Sequence, residues 1–169
     1  MKRKLLISLI IATTYPIVSF AQDDTLDKLL SVKSLACDFP TGTLVNWAGT
    51  SLKLDHDRMG TPIHFDNINL KNKSARVIGN MGAVDVMVFA SSSGLTFMES
   101  TGIGNMIYTT VFPSYLNQKT ITGAPEPDAV AKSQLPKAFI AVMSRHIFDP
   151  ALTHLPMPSQ FHGYCRELE

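Results

Sequence analysis

The chain has 169 residues, of which 45% are hydrophobic and 17% charged, with 15 Lys and Arg against 14 Asp and Glu. This composition is typical of one ordinary globular domain and excludes a disordered tail or a bundle of membrane spans. The balanced charge also excludes a strongly basic nucleic-acid binder, because neutralising phosphate groups requires a large excess of Lys and Arg.

The first 21 residues have the layout of a secretory signal peptide. Three positive charges precede an apolar run at residues 5–11, and small side chains at Ser19 and Ala21 form a plausible cleavage site. The alternative, a membrane anchor, needs about 20 predominantly apolar residues, and Pro16 interrupts this run too early. We therefore expect a periplasmic or secreted protein that is not stably inserted in the membrane.

Cleavage after Ala21 changes the charge balance of the chain. It removes Lys2, Arg3 and Lys4, and leaves 148 residues with 12 basic and 14 acidic side chains. The exported protein is then weakly acidic, with a net charge of about −2, and has no long-range attraction to nucleic acid or to an anionic membrane.

Cys37 and Cys165 are the only cysteines in the sequence. An oxidising compartment favours a disulfide between them, which would join the start of the domain to its end. In the chain-entropy view, closing so long a loop stabilises the fold by about 4–5 kcal/mol. The alternatives, a metal pair or a catalytic thiol, lack a C-x-x-C spacing.

Apolar residues in the mature chain recur mainly with a period of two, which indicates strands with one buried face. Turn residues separate these runs at regular spacing, so we predict an all-β domain at residues 35–169, an antiparallel barrel or sandwich of roughly eight to ten short strands. Before it, residues 22–34 form a lead segment with a short helix at 25–30 capped by Asp24. The predicted strands are 35–39, 43–47, 51–55, 63–70, 74–78, 84–90, 95–99, 106–112, 138–148 and 161–165.

Two proline-containing stretches interrupt this pattern. We predict a long loop at residues 120–137, with Pro125, Pro127 and Pro136 and a helical turn at residues 128–135. Residues 149–160 contain Pro150, Pro156 and Pro158, and we expect them to cross an end of the sheet irregularly.

Candidate catalytic groups are few. Alternation places His64 and Asp66 on one strand face, and Ser144 and His146 on another, but no activated nucleophile with a local signature accompanies them. The histidines that recur every eight residues lack a zinc-ligand geometry. We therefore predict no catalytic residue, no metal site and no cofactor.

Four residues are candidates for ligand binding: Trp47, Arg76, Arg145 and His146. Trp47 follows Cys37 closely, and we expect it to fill the core beside the disulfide, with a ligand platform as the alternative. Arg76 and Arg145 lie mid-strand, either at a sheet edge or paired with a carboxylate such as Asp85 or Glu99. In a barrel with one polar mouth, such arginines would bind an anionic group.

A resemblance extends over nearly all of the mature chain. It rests on paired cysteines, strand cores and turn glycines, and the chain resembles a group of small exported proteobacterial proteins of uncharacterised function. The resemblance implies export and a Cys37–Cys165 disulfide, but no activity, and it makes residues 120–137 an insertion. Its motifs are Cys37-Asp38-Phe39, Gly42, Trp47, Phe65-Asp66, residues 75–80, 94–99, 109–112 and 144–146, and residues 158–165.

These features favour a non-enzymatic binding or interaction module. A barrel would hold a small apolar or amphipathic ligand, whereas a sandwich would present its loops to an envelope protein. One alternative, by analogy of fold, is a periplasmic inhibitor of an envelope-targeting enzyme such as lysozyme. The other is a small hydrolase that uses His64, Asp66 or His146.

Overall fold

The computed structural model describes residues 24–80, 82–102, 104–115, 138–148 and 155–168. The predicted signal peptide at 1–21 and the proline-rich loop at 120–137, with its turn at 128–135, lie outside these residues. Within them the chain forms one helix and nine strands: α1 (Asp24–Ser31), β1 (Leu35–Ala48), β2 (Ser51–Asp57), β3 (Ile63–Asn69), β4 (Ser74–Gly79), β5 (Gly82–Ser91), β6 (Gly94–Ser100), β7 (Met106–Tyr115), β8 (Phe139–Phe148) and β9 (Pro156–Glu167).

The strands close into an eight-stranded antiparallel barrel. Each strand from β3 to β8 pairs with the next one along the chain, and β1 pairs with both β3 and β9. β2 is the additional strand, because it pairs only with residues 42–48 of β1. The all-β prediction is confirmed, and of the two predicted architectures the chain adopts the barrel.

β1 joins two segments that the sequence pattern separates. The prediction of strands at 35–39 and 43–47 with a turn between them is wrong, because Pro40 and Thr41 continue the strand. The register against β9 shifts between Asp38 and Thr41, which is a β-bulge. The bulge accommodates Pro40, which cannot donate a ladder hydrogen bond, and keeps Phe39 and Gly42 both buried.

β9 begins earlier than predicted. Residues 156–160 belong to the strand rather than to an irregular crossing. The carbonyl oxygen of Pro156 accepts a 2.8 Å hydrogen bond from Trp47 Nε1 of β1. The backbone carbonyl of Pro156 therefore points towards β1 and away from β8. Pairing between β9 and β1 starts only at Ser159, and the missing N–H groups of Pro156 and Pro158 therefore interrupt no ladder hydrogen bond.

The inward side chains of the eight barrel strands, together with α1, form the hydrophobic core. Phe65 of β3 stacks on Phe97 of β6 with ring centroids 3.9 Å apart. The predicted N-terminal helix is confirmed as α1, whose Leu29 is fully buried in this core, as is Val32 just after it. The other large, fully buried side chains are Leu35, Phe39, Val88, Leu95, Val111, Phe139, Met143 and Phe161.

The predicted disulfide is confirmed, and it lies at the closure of the barrel. Cys37 of β1 and Cys165 of β9 face each other in register, and both are fully buried. The bond therefore covalently joins the first and last strands of the barrel. In the part of the chain that the structure describes, no helix has the length and apolar character needed to cross a membrane.

Candidate ligand-binding site in the barrel

A cavity of about 510 Å³ opens at one end of the barrel. Its opening is formed by the β4–β5 and β6–β7 turns and by residues 57–61, which connect β2 to β3. α1 belongs to the other end, because Lys33, just after it, accepts a hydrogen bond from Ile68 in the C-terminal half of β3, whereas Ile63 and Phe65 in the N-terminal half line the cavity. The barrel is thus covered at one end and open at the other.

The floor of the cavity is a row of buried side chains from neighbouring strands. Phe97, Thr109, Met143 and Phe161 occupy successive in-register positions on β6, β7, β8 and β9. Each of them is at most 3% exposed, and all four line the cavity. Three of the four are apolar, so the floor is suited to an apolar group.

The next row towards the opening carries charge. Glu99, Ile107, Arg145 and Ser159 are again in register across β6, β7, β8 and β9. The first three line the cavity and are only half-buried, so they lie between the floor and solvent. Since strands are spaced about 4.8 Å apart, the Cα atoms of Glu99 and Arg145 are roughly 9–10 Å apart, on either side of Ile107.

Glu99 and Arg145 have different surroundings. Burial raises the pKa of the Glu99 carboxyl, and the nearby positive charge of Arg145 opposes this increase. The Arg145 guanidinium lies over the Phe161 ring, 5.8 Å from its centroid. Within the described ranges, neither side chain forms a hydrogen bond or a salt bridge. The cavity therefore contains an acid and a cation that are both free to bind a ligand.

Ser159 completes this row without reaching the cavity. Its Oγ is buried and has no hydrogen-bond partner among the described residues. Buried hydroxyl groups are normally satisfied, so this one is a small cost to stability. Ser159 lies on β9 directly opposite Arg145 of β8, so it is the next residue of the row after Arg145.

The rim carries one further charge of each sign. Asp57 and Arg58 both line the cavity, and the Asp57 Oδ1 accepts a 2.7 Å hydrogen bond from the backbone N–H of Arg58. The backbone N–H of Met59 donates to the carbonyl of Phe39, which holds this connection against β1. Because the two rim charges are opposite, they contribute little net charge to the opening.

Of the four residues predicted to bind a ligand, only Arg145 lines this cavity. Arg76 is on the outer face of β4, where Nε and Nη2 donate hydrogen bonds of 2.9 and 2.6 Å to the Asp66 carboxylate. It is paired with a carboxylate as predicted, but its hydrogen-bonded partner is Asp66, while Asp85, opposite it on β5, acts on it only through its charge. His146 is exposed on the outer face of β8, with its ring edge against Tyr108.

Trp47 does not fill the core, so that expectation is wrong. Its side chain is 40% exposed, on the outer face of β1 beyond the end of the pairing with β9. The bulge and the length of β1 place it in the hairpin with β2, away from Cys37. There it lies opposite Leu52, and its ring N–H binds Pro156.

Of the three groups predicted for a hydrolase, His146 lies apart from the other two. His64 and Asp66 lie on the outer face of β3, as alternation predicts, whereas His146 is on β8, with β9 and β1 between the two strands. The Arg76 guanidinium binds the Asp66 carboxylate and lowers its pKa. This acid is therefore held in an ion pair rather than directed at a histidine.

No group of three or more His, Cys, Asp or Glu residues suited to a metal ion occurs in the part of the chain that the structure describes. His146 and His162, two of the regularly spaced histidines, are exposed on the outer faces of β8 and β9. His154 lies outside the described residues.

Glu99 lines the cavity, although the sequence analysis predicts it only as a possible partner for an arginine. The signal was nevertheless present, since alternation from Leu95 through Phe97 places Glu99 on the buried face, and alternation through Met143 does the same for Arg145. A charge that ends a buried face on each of two strands indicates the polar mouth of a barrel.

No protein-family model, curated protein or solved structure matches the chain.

Proposed function

We propose that the protein is an exported, non-enzymatic binding module of the bacterial envelope whose barrel holds a small amphipathic ligand. One observation carries the proposal: beside its packed core the barrel has an open cavity of about 510 Å³. This volume is within the range of roughly 300–1,000 Å³ typical of small-molecule sites. Such sites combine apolar walls with a few polar groups, as the Phe97 row and the Glu99–Arg145 row do here.

Export is supported by two features. The N-terminal sequence has the charge, apolar run and small residues of a secretory signal peptide. The Cys37–Cys165 disulfide fits an oxidising compartment, because cytosolic thiols are normally kept reduced. The resemblance to small exported proteobacterial proteins agrees with both.

A cavity-blocking variant tests the proposal. Val84 lines the cavity near its opening and Met87 is on the outer face of the same strand, with exposed fractions of 45% and 46%. We expect the mature protein to bind the apolar dye N-phenylnaphthylamine saturably, with increased fluorescence. Val84→Trp should abolish this binding because its ring fills the opening, whereas Met87→Trp should not affect it.

The melting temperatures of the two variants provide the folding control. If both remain folded and lose the dye equally, the dye binds elsewhere and the cavity proposal is wrong. If the unmodified protein binds no dye or amphiphile at all, the barrel is not a ligand carrier. The inhibitor of an envelope-targeting enzyme, which the sequence suggests as an alternative, would then be favoured.

A further inference from the structure

The charged row of the cavity restricts the chemistry of the ligand, and this inference rests on the proposed function. Arg145 lines the wall with its five N–H donors unused by any described residue. The guanidinium carbon lies 5.8 Å from the centroid of the Phe161 ring, which offers no hydrogen-bond acceptor of the usual kind, so the donors stay available to a ligand. A planar guanidinium with free donors is the preferred protein group for binding a carboxylate through two parallel hydrogen bonds.

Glu99 completes the polar part of the wall. With its Cα roughly 9–10 Å from that of Arg145, both long side chains reach a head group located over Ile107. Burial raises the pKa of this carboxyl, and below that pKa the protonated group donates a hydrogen bond to an anion instead of repelling it. Arg145 supplies a positive charge and hydrogen-bond donors, and Glu99 adds one further donor when it is protonated.

No other charge faces Glu99 from the strands beside it. β5 contributes Val84 and Val86 to the cavity, and β7 contributes Ile107 and Thr109. Arg145 faces it from β8, and Asp57 and Arg58 from the rim cancel each other. The Arg145 guanidinium, which no described residue pairs, is therefore complementary to a ligand with a single negative charge.

We propose that the cavity binds a monocarboxylate with an apolar tail, such as a fatty acid. Its carboxylate lies between Arg145 and Glu99 and its tail lies against the apolar floor and walls. The tail packs against Phe65, Val86 and Phe97, and its burial supplies most of the affinity. The carboxylate supplies the selectivity, because a head group without charge leaves the guanidinium donors unused.

Three probes with the same tail test the inference: decanoate, decanol and decyltrimethylammonium, each measured by displacement of N-phenylnaphthylamine. We expect decanoate to bind most tightly. Arg145→Met should weaken decanoate binding roughly ten- to a hundredfold, as expected for loss of hydrogen bonds to a charged group, and should leave decanol binding nearly unchanged. Arg145→Lys keeps the positive charge but lacks the two parallel N–H donors of the guanidinium, so it should weaken decanoate binding to an intermediate degree. Arg166→Gln on the outer face of β9 is the matched control, and should affect neither ligand.

The pH dependence provides a second readout. Decanoate affinity should fall as the pH rises through the pKa of Glu99, because its ionised carboxylate repels the ligand, and Glu99→Gln should remove this dependence. If decanol or the ammonium probe binds as tightly as decanoate, the carboxylate inference is wrong while the cavity proposal stands. If none of the three displaces the dye and none binds directly, the proposed function fails as well.

Discussion

At the scale of single residues, Glu99 and Arg145 place charged side chains in the cavity, whereas the buried core of the barrel is uncharged. Glu99 occupies an inward position that continues the buried face of Leu95 and Phe97. Placing a carboxyl there opposes ionisation, since burial disfavours the charged form. Such positions are retained at binding sites even where an apolar or neutral residue is more stable.

This cost to stability predicts the effect of Glu99→Gln. The folded protein holds the Glu99 proton more tightly than the unfolded chain does, so wild-type stability falls as the pH rises from the ordinary glutamate pKa to the raised one. Glutamine cannot ionise. The variant should therefore melt at a higher temperature than wild type at neutral pH, and the difference should vanish in acid. An equal difference at both pH values would mean that packing, not ionisation, causes it.

Residue identity alone did not predict every location. Arg145 lines the cavity because alternation along β8 directs it inward with Ala141 and Met143, and its role in ligand binding stays a prediction. Trp47 was misplaced, because an aromatic residue near a cysteine suggests a core position. Its exposure follows from the extension of β1 beyond the barrel into the hairpin with β2, which depends on pairing that the local sequence does not specify.

At the scale of elements, the backbone of β9 packs closely against the bulge of β1. Gly163 of β9 lies against the bulge, and a Cβ atom at this glycine would be 1.8 Å from the carbonyl oxygen of Asp38. The two backbones approach so closely because β1 carries its one extra residue here. A strand pattern read with a strict period of two cannot reveal this, since the bulge changes the phase in the same way that a turn does.

Gly163→Ala should consequently weaken the closure of the barrel. The new methyl group must displace backbone rather than a flexible side chain, so we expect the free energy of unfolding to fall by about 1–3 kcal/mol in urea titrations. Gly102→Ala is the control, because a Cβ atom there meets nothing within 4 Å. Equal free energies of unfolding for the two variants would show that the β1 and β9 backbones move apart at the bulge without loss of stability.

At the scale of the whole molecule, the barrel depends on contacts between the two ends of the chain. The alternation of short strands was sufficient to predict an all-β domain, but a barrel and a sandwich share that pattern locally. The difference lies in whether β1 pairs with β9, across more than 100 residues of sequence. The cysteines are the part of the sequence that reports this long-range pairing, since Cys37 and Cys165 face each other in register.

The double variant Cys37→Ala, Cys165→Ala measures how much the covalent closure contributes. The bond joins residues 128 positions apart, and the chain-entropy argument predicts a loss of about 5 kcal/mol in the free energy of unfolding. The β1–β9 ladder does not need the bond to form, so we expect the variant to remain folded at room temperature and to bind the dye, with a lower urea midpoint. Wild type treated with reductant should approach the same midpoint. A loss under about 1 kcal/mol would mean that the unfolded chain already keeps its ends together, because the entropic contribution requires that they separate.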